Sequence, residues 1–538
     1  MDNNTLEKKK GINWPLTIIS VGLLFLIVAL LAIRPTQTID GIKTIFNNVL
    51  NGTGPFMLLF DLFLVVFCFA IAFSKYGKIK LGEGKPEYST FSYIAMMACA
   101  ALASASMFWS FTEWAEYIIT PGLNIEPYSD EAYDVALGYT FFHWGFLAQC
   151  IYVLIGLATA YAWYIRKAKS LKMSDVIDRM LGDNFKYPKL KLVIMRLVDL
   201  IVIFCTLSGL GVSLGLGVPV IAGGINAVTG IEVSFTMQVI IVLALGVIFS
   251  WSSFVGTGKG MKFLSDNTVK LLFCFLIFVL IAGPTTFIFK SLVNGVGEMG
   301  GNFLQMALFS DPIQQTGFAE AWTIFFIAFP LSYTGLMAVF VAKISKGRTI
   351  KQLVLCCMLG ISCGTWVFFS VNGGLAMDRE LTGVFSMVNE VENGDPYAGV
   401  FSLLNTLPLG KILAVVYTVC VAGFVCTTLD TASLALASTT SSKVDKDNNP
   451  SKTWRLFWCV MLCLLPLAMM FSGADFDAMK QLAILIAIPI ALVMCFMAYK
   501  LIVWFKEDKD KYFPKTVEIT GEPLKADSEE EAAEAVEA

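Results

Sequence analysis

Apolar residues recur along the chain in runs long enough to cross a lipid bilayer, and short polar connections separate these runs. A membrane-spanning helix needs about 20 predominantly apolar residues. The pattern predicts about twelve such helices, which we place at residues 13–33, 55–76, 90–120, 137–166, 190–223, 234–253, 267–290, 319–344, 351–373, 399–437, 454–472 and 477–505. The sequence therefore predicts an all-α polytopic membrane protein embedded in a lipid bilayer.

The charges of the connections alternate in phase with the predicted spans. Segments rich in lysine and arginine occur at 8–10, 75–85, 166–172, 256–262, 343–348, 443–452 and from 506 onward. The intervening connections, such as 120–134 and 389–397, are acidic or neutral. Because basic loops stay on the cytoplasmic side, the pattern predicts how the spans are oriented in a cytoplasmic (cell) membrane, which we expect to be of bacterial or archaeal type. Both termini are then expected in the cytoplasm.

Composition supports a membrane protein and argues against several function classes. Of the 538 residues, 56% are hydrophobic and 15% are charged, whereas about 25% are charged in an average soluble domain. A net charge of −3 gives no reason to expect a nucleic-acid partner. The thirteen cysteines form no C-x-x-C pair, and the sequence contains no phosphate-binding P-loop and no nucleophile–base or metal-ligand set. We therefore expect no cofactor, no ATP-driven step and no enzyme activity.

The third span carries two carboxylates within an otherwise apolar helix. Trp109, Glu113, Glu116 and Tyr117 fall within about a third of the helix circumference. A carboxylate at membrane depth is costly and usually faces a cavity or a partner, so this face is a candidate pathway for a cation or solute. Alternatively, Glu116 lies near the helix end and reaches out to water.

Aromatic residues on the fourth and eighth spans are candidates for binding an ammonium group. Trp144 lies near the start of the fourth span, and Tyr152 follows two turns later on nearly the same face. Phe329 and Tyr333 share a face of the eighth span beside Pro330, which predicts a kink. Face-on rings attract a quaternary ammonium by about 0.5–2 kcal/mol each. The alternatives are an interfacial aromatic belt for Trp144 and ordinary helix packing for the other rings.

Hydroxyl groups cluster in the tenth span, where Thr427 and Thr428 precede Asp430, Thr431 and Ser433. Hydroxyl and backbone carbonyl oxygens are the ligands that a small hard cation needs. Alternatively, the hydroxyls bond back to the preceding helical turn, as is common in membrane helices. The spacing leaves both interpretations open.

Four motifs resemble the betaine/choline/carnitine transporter family: FHWG at 142–145, GTGKGMKFLSD at 256–266, WTIFFIAF at 322–329 and AKISKGRT at 342–349. The last motif is close to a near-fixed A-R-I-S-R-G-R-T of that family. The resemblance extends from about residue 15 to 505, and the third and fourth spans are most similar to the carnitine/γ-butyrobetaine branch.

The resemblance implies a homotrimer in which each chain has two inverted repeats of five helices, of the LeuT type, after two additional helices. The implied divisions are 1–12 as the N-terminus, 13–85 as the additional helices, 86–292 as the first repeat, 293–318 as an outer loop with a short helix at 301–308, 319–505 as the second repeat, and 506–538 as an acidic tail. The tail is expected to be disordered over 526–538 because it is acidic and has no apolar face.

The resemblance also implies an aromatic box around the solute in the middle of the membrane. The expected solute-binding residues are Trp144, Phe329, Tyr333, Glu116, Trp109, Tyr117, Tyr152 and Met337. This chain departs from the Trp-rich eighth span of the family, with Ile327, Phe329 and Pro330 at three tryptophan positions. Glu116 stands where the carnitine branch has a tyrosine that contacts the substrate, which favours a net cation or a hydrogen-bonding amine.

Sodium coupling is a further implication of the resemblance. The expected sodium ligands are Phe424, Thr427 and Thr428, completed by the backbone of Cys99 and Leu102. Thr268 replaces an arginine that occupies the cation site in the sodium-independent exchangers. Met337, in contrast, matches a methionine found near the substrate in those exchangers.

We therefore expect a secondary active transporter that carries a small cationic or zwitterionic quaternary-ammonium solute, or a related amine, by symport with sodium (Na+). Betaine, carnitine and choline are the expected types. A sodium-independent exchanger of the carnitine/γ-butyrobetaine type stays open as the alternative. A membrane sensor that uses the acidic tail is a third interpretation, to which the non-amphipathic tail lends little support.

Overall fold

The computed structural model describes residues 11–101, 104–255, 262–442, 450–473 and 476–512, and its regular secondary structure in these ranges is helical. The α-helices are α1 Trp14–Ile33, α2 Pro35–Phe73, α3 Thr90–Ala101, α4 Ser104–Ile119, α5 Asp130–Phe142, α6 Ala148–Tyr164, α7 Met173–Leu181, α8 Pro188–Thr229, α9 Phe235–Val255, α10 Lys262–Ala282, α11 Thr285–Leu308, α12 Ile324–Ser332, α13 Thr334–Ile344, α14 Ile350–Leu355, α15 Ser362–Leu381, α16 Met387–Glu392, α17 Pro396–Leu404, α18 Gly410–Thr439, α19 Lys452–Phe471, α20 Phe476–Glu507 and α21 Lys509–Tyr512.

Three π-helical turns extend or join these helices. His143–Leu147 joins α5 to α6, Ala319–Thr323 precedes α12, and Cys356–Ile361 joins α14 to α15. Such turns are rare and occur frequently at functional sites. The first of them carries Trp144, one of the expected solute-binding residues.

The helices confirm the all-α polytopic membrane class. Within the described residues, nine helical segments are long and apolar enough to cross a bilayer, and the bent pair Ala319–Ser332 and Thr334–Ile344 makes a tenth. The predicted spans at 90–120 and 190–223 coincide with α3 plus α4 and with α8. The number of twelve spans and the division into two inverted repeats remain predictions.

The eighth predicted span is bent, as its proline indicated. The segments Ala319–Ser332 and Thr334–Ile344 meet at 60°. Pro330 has no backbone N–H to continue the helical ladder, and at Tyr333 the N–H donates to the carbonyl of Pro330 at 3.0 Å. The bend therefore lies three residues beyond the proline, and it places Tyr333 at the break.

The segment predicted as an outer loop at 293–318 is largely helical. α11 has 24 residues and begins directly after Pro284, so it is much longer than the short helix expected at 301–308. The predicted span 267–290 is consequently two helices, because α10 ends at Ala282. The several glycines of this segment lower its intrinsic helix propensity, which explains why the pattern underestimated the helix.

The predicted span 399–437 is also divided. Its first residues belong to the short helix α17, which ends at Leu404, and α18 begins at Gly410. Leu409 between them has a φ of 62°, in the left-handed region, so the chain turns sharply there. The tenth membrane helix is therefore α18 alone.

The connection between α13 and α14 fixes the segment that leads into α3. Arg348 is fully buried, and its guanidinium donates to the carbonyls of Tyr88 and of the next residue at 2.8 and 3.1 Å. It also lies 4.0 Å from the ring centroid of Tyr93. Gly347 has a φ of +77°, and a Cβ there would lie 2.8 Å from the backbone of Lys85, so a glycine is required. The AKISKGRT motif thus ties the end of α13 to the start of α3.

Several sequence-based expectations fall outside the described residues. They are the first ten residues, the tail segment 526–538, Leu102 of the expected sodium site, and residues 256–261 of the GTGKGMKFLSD motif.

Candidate solute-binding site

A cavity of about 810 Å³ lies between α3, α6, α10, α12, α13 and α18 and the π-helical turn before α6. Its volume is within the range of about 300–1,000 Å³ that is typical of small-molecule sites. The wall includes Met96, Ala100, His143, Trp144, Gln149, Tyr152, Thr268, Phe326, Phe329, Tyr333, Met337, Phe424, Thr427 and Thr428. Most of this wall is apolar and aromatic, with a small number of hydroxyl, amide and imidazole groups.

Five of the eight expected solute-binding residues line this one cavity: Trp144, Tyr152, Phe329, Tyr333 and Met337. Phe329 and Tyr333 are packed edge to face, with ring centroids 5.3 Å apart. The hydroxyl of Tyr333 lies 2.6 Å from Oγ of Ser213 and 3.1 Å from the carbonyl oxygen of Gly209, both on α8. The phenol ring is therefore fixed at the helix break instead of rotating freely.

The π-helical turn orients Trp144 and interrupts the regular backbone hydrogen bonding, so that side chains bind its carbonyl. Gly145 has a ψ of −129°, which is not helical. The carbonyl of Trp144 accepts hydrogen bonds from Oγ1 of Thr365 at 3.0 Å and from Nε2 of Gln149 at 3.2 Å. A Cβ at Gly145 would lie 2.9 Å from Nε1 of Trp366. Close packing and side-chain hydrogen bonds therefore hold the irregular backbone in place.

A fully buried carboxylate holds the indole of Trp144. Nε1 of Trp144 donates to Oε2 of Glu113 at 2.7 Å, and the hydroxyl of Tyr117 donates to Oε1 at 2.6 Å. Nδ1 of His143 lies 2.7 Å from the same hydroxyl, and Nε2 lies 3.1 Å from Oγ1 of Thr323. This chain of hydrogen bonds connects α4 to the two π-helical turns. Because both carboxylate oxygens are used, Glu113 orients the ring of Trp144 toward the cavity.

The structure places Glu116, Trp109 and Tyr117 outside the cavity wall. Glu116 is half-buried and interacts electrostatically with Lys480 and Asp477 at the start of α20. Of the two carboxylates on this face, Glu113 is the one that contacts the aromatic box, and solute binding by Glu116 stays a prediction. Trp109 packs against the rings of Trp144 and Phe329. Tyr117 is connected to the box only through its hydrogen bond to Glu113.

Trp109 lies just behind the aromatic rings at one end of the cavity. Its ring is 2% exposed and lies 5.3 Å from the ring of Phe326, 5.8 Å from that of Phe329 and 6.0 Å from that of Trp144. At the other end the wall includes the exposed side chains of Asp266 and Lys270. The cavity therefore opens beside the start of α10 and is closed by aromatic rings at the opposite end.

Three of the five residues expected to bind sodium line the same cavity. Phe424, Thr427 and Thr428 of α18 face it together with Ala100 of α3, which lies between the expected backbone ligands in sequence. Oγ1 of Thr427 donates to the carbonyl of Phe424 at 3.0 Å. The back-bonding alternative therefore describes Thr427, although the lone pairs of such a hydroxyl can still accept a cation.

Asp430 is not a ligand in this arrangement, since its carboxylate is paired with the guanidinium of Arg455 on α19. Oγ of Ser252 on α9 donates to the second carboxylate oxygen at 2.8 Å. Both members of the ion pair are buried. The pair therefore joins α18 to two neighbouring helices and leaves no free carboxylate there for a cation.

Thr268 lies beside the expected sodium ligands. It lines the cavity, and its hydroxyl donates to the carbonyl of Leu264 at 2.8 Å. A Cβ at Gly423 would lie 2.2 Å from Oγ1 of Thr268. The glycine therefore allows α10 and α18 to approach closely, one residue before Phe424.

Sequence reasoning missed Phe326 and Gln149 and treated His143 as a structural residue. Phe326 lies 5.4 Å from the ring of Trp144 and stacks on His143 at 4.8 Å. Its spacing from Phe329 is a signal that could have found it, because residues three apart share a helix face. Nothing local distinguishes Gln149 from other polar residues of membrane helices.

A multi-pass helical protein that encloses an aromatic cavity beside a bent helix has the architecture of a membrane transport protein. Comparison with known proteins agrees with this class. Residues 15–510 match the family model of the BCCT, betaine/carnitine/choline family transporters. The chain belongs to the BCCT family, and the family expected from its motifs is thereby confirmed.

Curated relatives cover most of the chain. The carnitine transporter of Acinetobacter baumannii is 36% identical over 506 residues, which are 94% of this chain and 91% of the relative. The glycine betaine transporter of Bacillus subtilis is 31% identical, over 82% of this chain and 84% of its own length. The ectoine/hydroxyectoine transporter of Virgibacillus pantothenticus is 30% identical, over 91% and 96% respectively. The chain is therefore similar, over nearly its whole length, to transporters named for carnitine, glycine betaine and ectoine.

Proposed function

We propose that this protein is a secondary active transporter of a small solute with a quaternary ammonium or related amine group, of the betaine, carnitine or choline type. The observation that carries the proposal is the convergence of Trp144, Phe329 and Tyr333, from separate helices, on one cavity. Ring faces attract an ammonium most strongly where water is excluded, and each of these rings is at least nine-tenths buried. The names of the relatives support the same class of solute.

We propose that sodium is the coupling ion and that transport is symport. The hydroxyls of Thr427 and Thr428 border the cavity that holds the aromatic box, so an ion bound there would lie close to the solute. Thr268, instead of a fixed cation, stands beside this position. An ion bound to these hydroxyls and to the backbone of α3 would join α3 to α18. Its binding would then be coupled to that of the solute.

Uptake into proteoliposomes tests the coupling. The double variant Thr427→Ala, Thr428→Ala is expected to lose stimulation by an inward sodium gradient, while Thr439→Ala on the same helix keeps it. Thr439 is a matched control, because its hydroxyl donates to the preceding turn at 2.9 Å and lies away from the cavity wall. Uptake by the parent protein that is equal in sodium and in potassium buffer would refute sodium coupling.

A sodium-independent exchange of substrate against product is the second candidate. The observation that favours it is the thioether of Met337, which lies on the cavity wall and could fill the place of an ion. Uptake that requires internal solute and ignores sodium would establish exchange. Net uptake into empty liposomes, driven by sodium, would establish symport.

The proposal places the protein in the cell membrane as a homotrimer, with both termini in the cytoplasm. The exposed Asp266 and Lys270 at the cavity mouth follow the basic segment 256–262. Since basic segments face the cytoplasm, the described conformation is open to the cytoplasm and closed to the outside.

A further inference from the structure

Beyond the closed end of the cavity, a buried lysine lies against three aromatic rings. Lys480 lies in the first turns of α20 and is 6% exposed. Its ammonium nitrogen is 4.3 Å from the ring centroid of Trp322, 4.9 Å from that of Phe325 and 5.9 Å from that of Phe476. These distances are those of cation–π contacts.

The rings around the lysine are in contact with the aromatic box. Trp109 lies 5.5 Å from Phe325 and 6.3 Å from Phe476, both of which contact the ammonium. On its other side the same indole contacts Phe329 and Trp144 of the cavity. Phe325 also stacks directly on Phe329, with ring centroids 5.6 Å apart. One layer of aromatic rings therefore connects the lysine ammonium to the rings that we assign to the solute.

The ammonium of Lys480 also has an alternative partner, the carboxylate of Asp477. Oδ1 of Asp477, one turn earlier on α20, lies 3.8 Å from the nitrogen, and that aspartate side chain is 73% exposed. Glu116 and Glu113 of α4 also act electrostatically on Lys480. The long, flexible lysine side chain can therefore leave the rings toward Asp477 without losing a carboxylate partner.

We propose that Lys480 is a tethered cation that occupies the ring faces of Trp322, Phe325 and Phe476 while the closed end is shut, and that a solute ammonium entering from this end must displace it. Lys480 is thus a residue that determines specificity. A bare cation competes with the lysine and is repelled by it. A zwitterion is less penalised, since its carboxylate can pair with the displaced ammonium. The inference rests on the proposed function, in which the solute carries an ammonium group.

Equilibrium binding to the purified full-length protein tests the inference. The probes are tetramethylammonium, which is a cation without a carboxylate, and glycine betaine, which is a zwitterion. Tryptophan fluorescence reports binding, and thermal unfolding reports whether each variant is folded. Lys480→Met is expected to bind tetramethylammonium at least about fivefold more tightly than the parent, with less than a twofold change for glycine betaine. Lys480→Arg, which keeps a cation over the rings, is expected to resemble the parent.

A double variant distinguishes two explanations of the gain: binding of tetramethylammonium to the vacated rings, and its attraction by the nearby carboxylates. If the vacated rings bind tetramethylammonium, the gain in Lys480→Met is lost when Trp322→Leu is added. A gain that persists in the double variant overturns the inference, because the carboxylates alone would then explain it. Asp477→Asn removes the alternative partner of the ammonium and keeps the lysine on the rings, so it is expected to give no gain in tetramethylammonium binding.

The remaining outcomes also decide the matter. If Lys480→Met does not fold, Lys480→Gln takes its place with the same expectation, and loss of folding in both variants overturns the inference in favour of a structural lysine. If a folded Lys480 variant binds tetramethylammonium as the parent does, and the parent binds glycine betaine or carnitine, the role of Lys480 is overturned and the proposed function stands. Failure of every methylated amine to bind to the parent or to Lys480→Met overturns the proposed function as well.

Discussion

At the scale of single residues, the site depends on how firmly one indole is held. Trp144 is anchored at both ends: Glu113 accepts its ring N–H, and Thr365 and Gln149 donate to its carbonyl. A preorganised ring binds an ammonium without an ordering cost at the moment of binding. The buried carboxylate of Glu113 therefore has a role in solute affinity without lining the cavity.

Replacement of Glu113 by leucine is expected to weaken solute binding about tenfold. The substitution leaves a buried indole N–H without an acceptor, which costs about 1–3 kcal/mol, and 1.4 kcal/mol corresponds to a factor of ten in affinity. Glu113→Gln keeps one acceptor oxygen and is expected to lie between leucine and the parent. Titration of glycine betaine or carnitine, followed by tryptophan fluorescence, measures the order.

Glu116→Gln is the matched control three residues further along α4. Since Glu116 does not line the cavity, its removal is expected to change the affinity less than twofold. Equal losses for the two positions would show that the acidic face acts through its charge alone, and would contradict the anchoring role of Glu113.

The identity of the rings could be predicted from the sequence, but their supports could not. Trp144, Phe329 and Tyr333 stand out because their spacing and motif positions mark them. Glu113 and Glu116 are only about 60° apart around a helix, so a helical projection cannot decide which one reaches Trp144. Lys480 is 371 positions from Trp109 in the sequence, and only the packing of α20 on α12 reveals that they flank the same rings.

At the scale of helices, close approaches at small residues set the shape of the cavity. Gly423 of α18 faces Thr268 of α10, and Gly209 of α8 faces Ser332 of α12, where a Cβ would lie 2.6 Å from the serine Cβ. Small residues allow membrane helices to pack with their backbones near each other. The width of the cavity therefore depends on these glycines as well as on its lining residues.

Gly423→Ala is expected to destabilise the protein by about 1–3 kcal/mol, the usual cost of overpacking. The added methyl would overlap the hydroxyl of Thr268. Adding Thr268→Ala removes the overlapping atoms and should restore most of the loss. Gly211→Ala is the control within a helix, because a Cβ there has no neighbour within 4 Å. Thermal unfolding in detergent measures all four proteins; a loss that Thr268→Ala does not relieve would contradict the steric explanation.

Arg348→Gln is expected to destabilise the protein by about 1–3 kcal/mol, because two partly buried carbonyls lose their charged donor and the ring of Tyr93 loses its cation. Lys346→Gln, in the same connection, is the control, since that side chain is exposed. Thermal unfolding again provides the measurement. An effect as small as that of the control would show that α3 is held in place by other contacts.

The helices themselves could be predicted with differing success. Long apolar runs such as α1, α9 and α19 followed directly from hydropathy, because the bilayer requires a minimum length. α11 was underestimated because it is glycine-rich and only mildly apolar, so its stability comes from packing. The bend of the eighth span followed from Pro330, but its position at Tyr333 depends on local hydrogen bonding that the sequence does not display.

At the scale of the whole molecule, the proposed function makes the described arrangement one state of a transport cycle. Rings from α4, α12 and α20 close one end of the cavity, while its other end reaches exposed side chains beside α10. Alternating access requires the opposite state, in which the ring cluster separates and the second end closes. Lys480 connects α20 to α12 in the closed cluster, so its release belongs to that exchange.

We propose that the cavity binds a methylated ammonium on the faces of Trp144, Phe329 and Tyr333. A cryo-EM map of the protein with saturating glycine betaine or carnitine, whichever raises the unfolding temperature more, would locate the solute. We expect density for a trimethylammonium group within about 6 Å of the three ring centroids. Solute density elsewhere, with these rings facing an empty cavity or lipid, would contradict it.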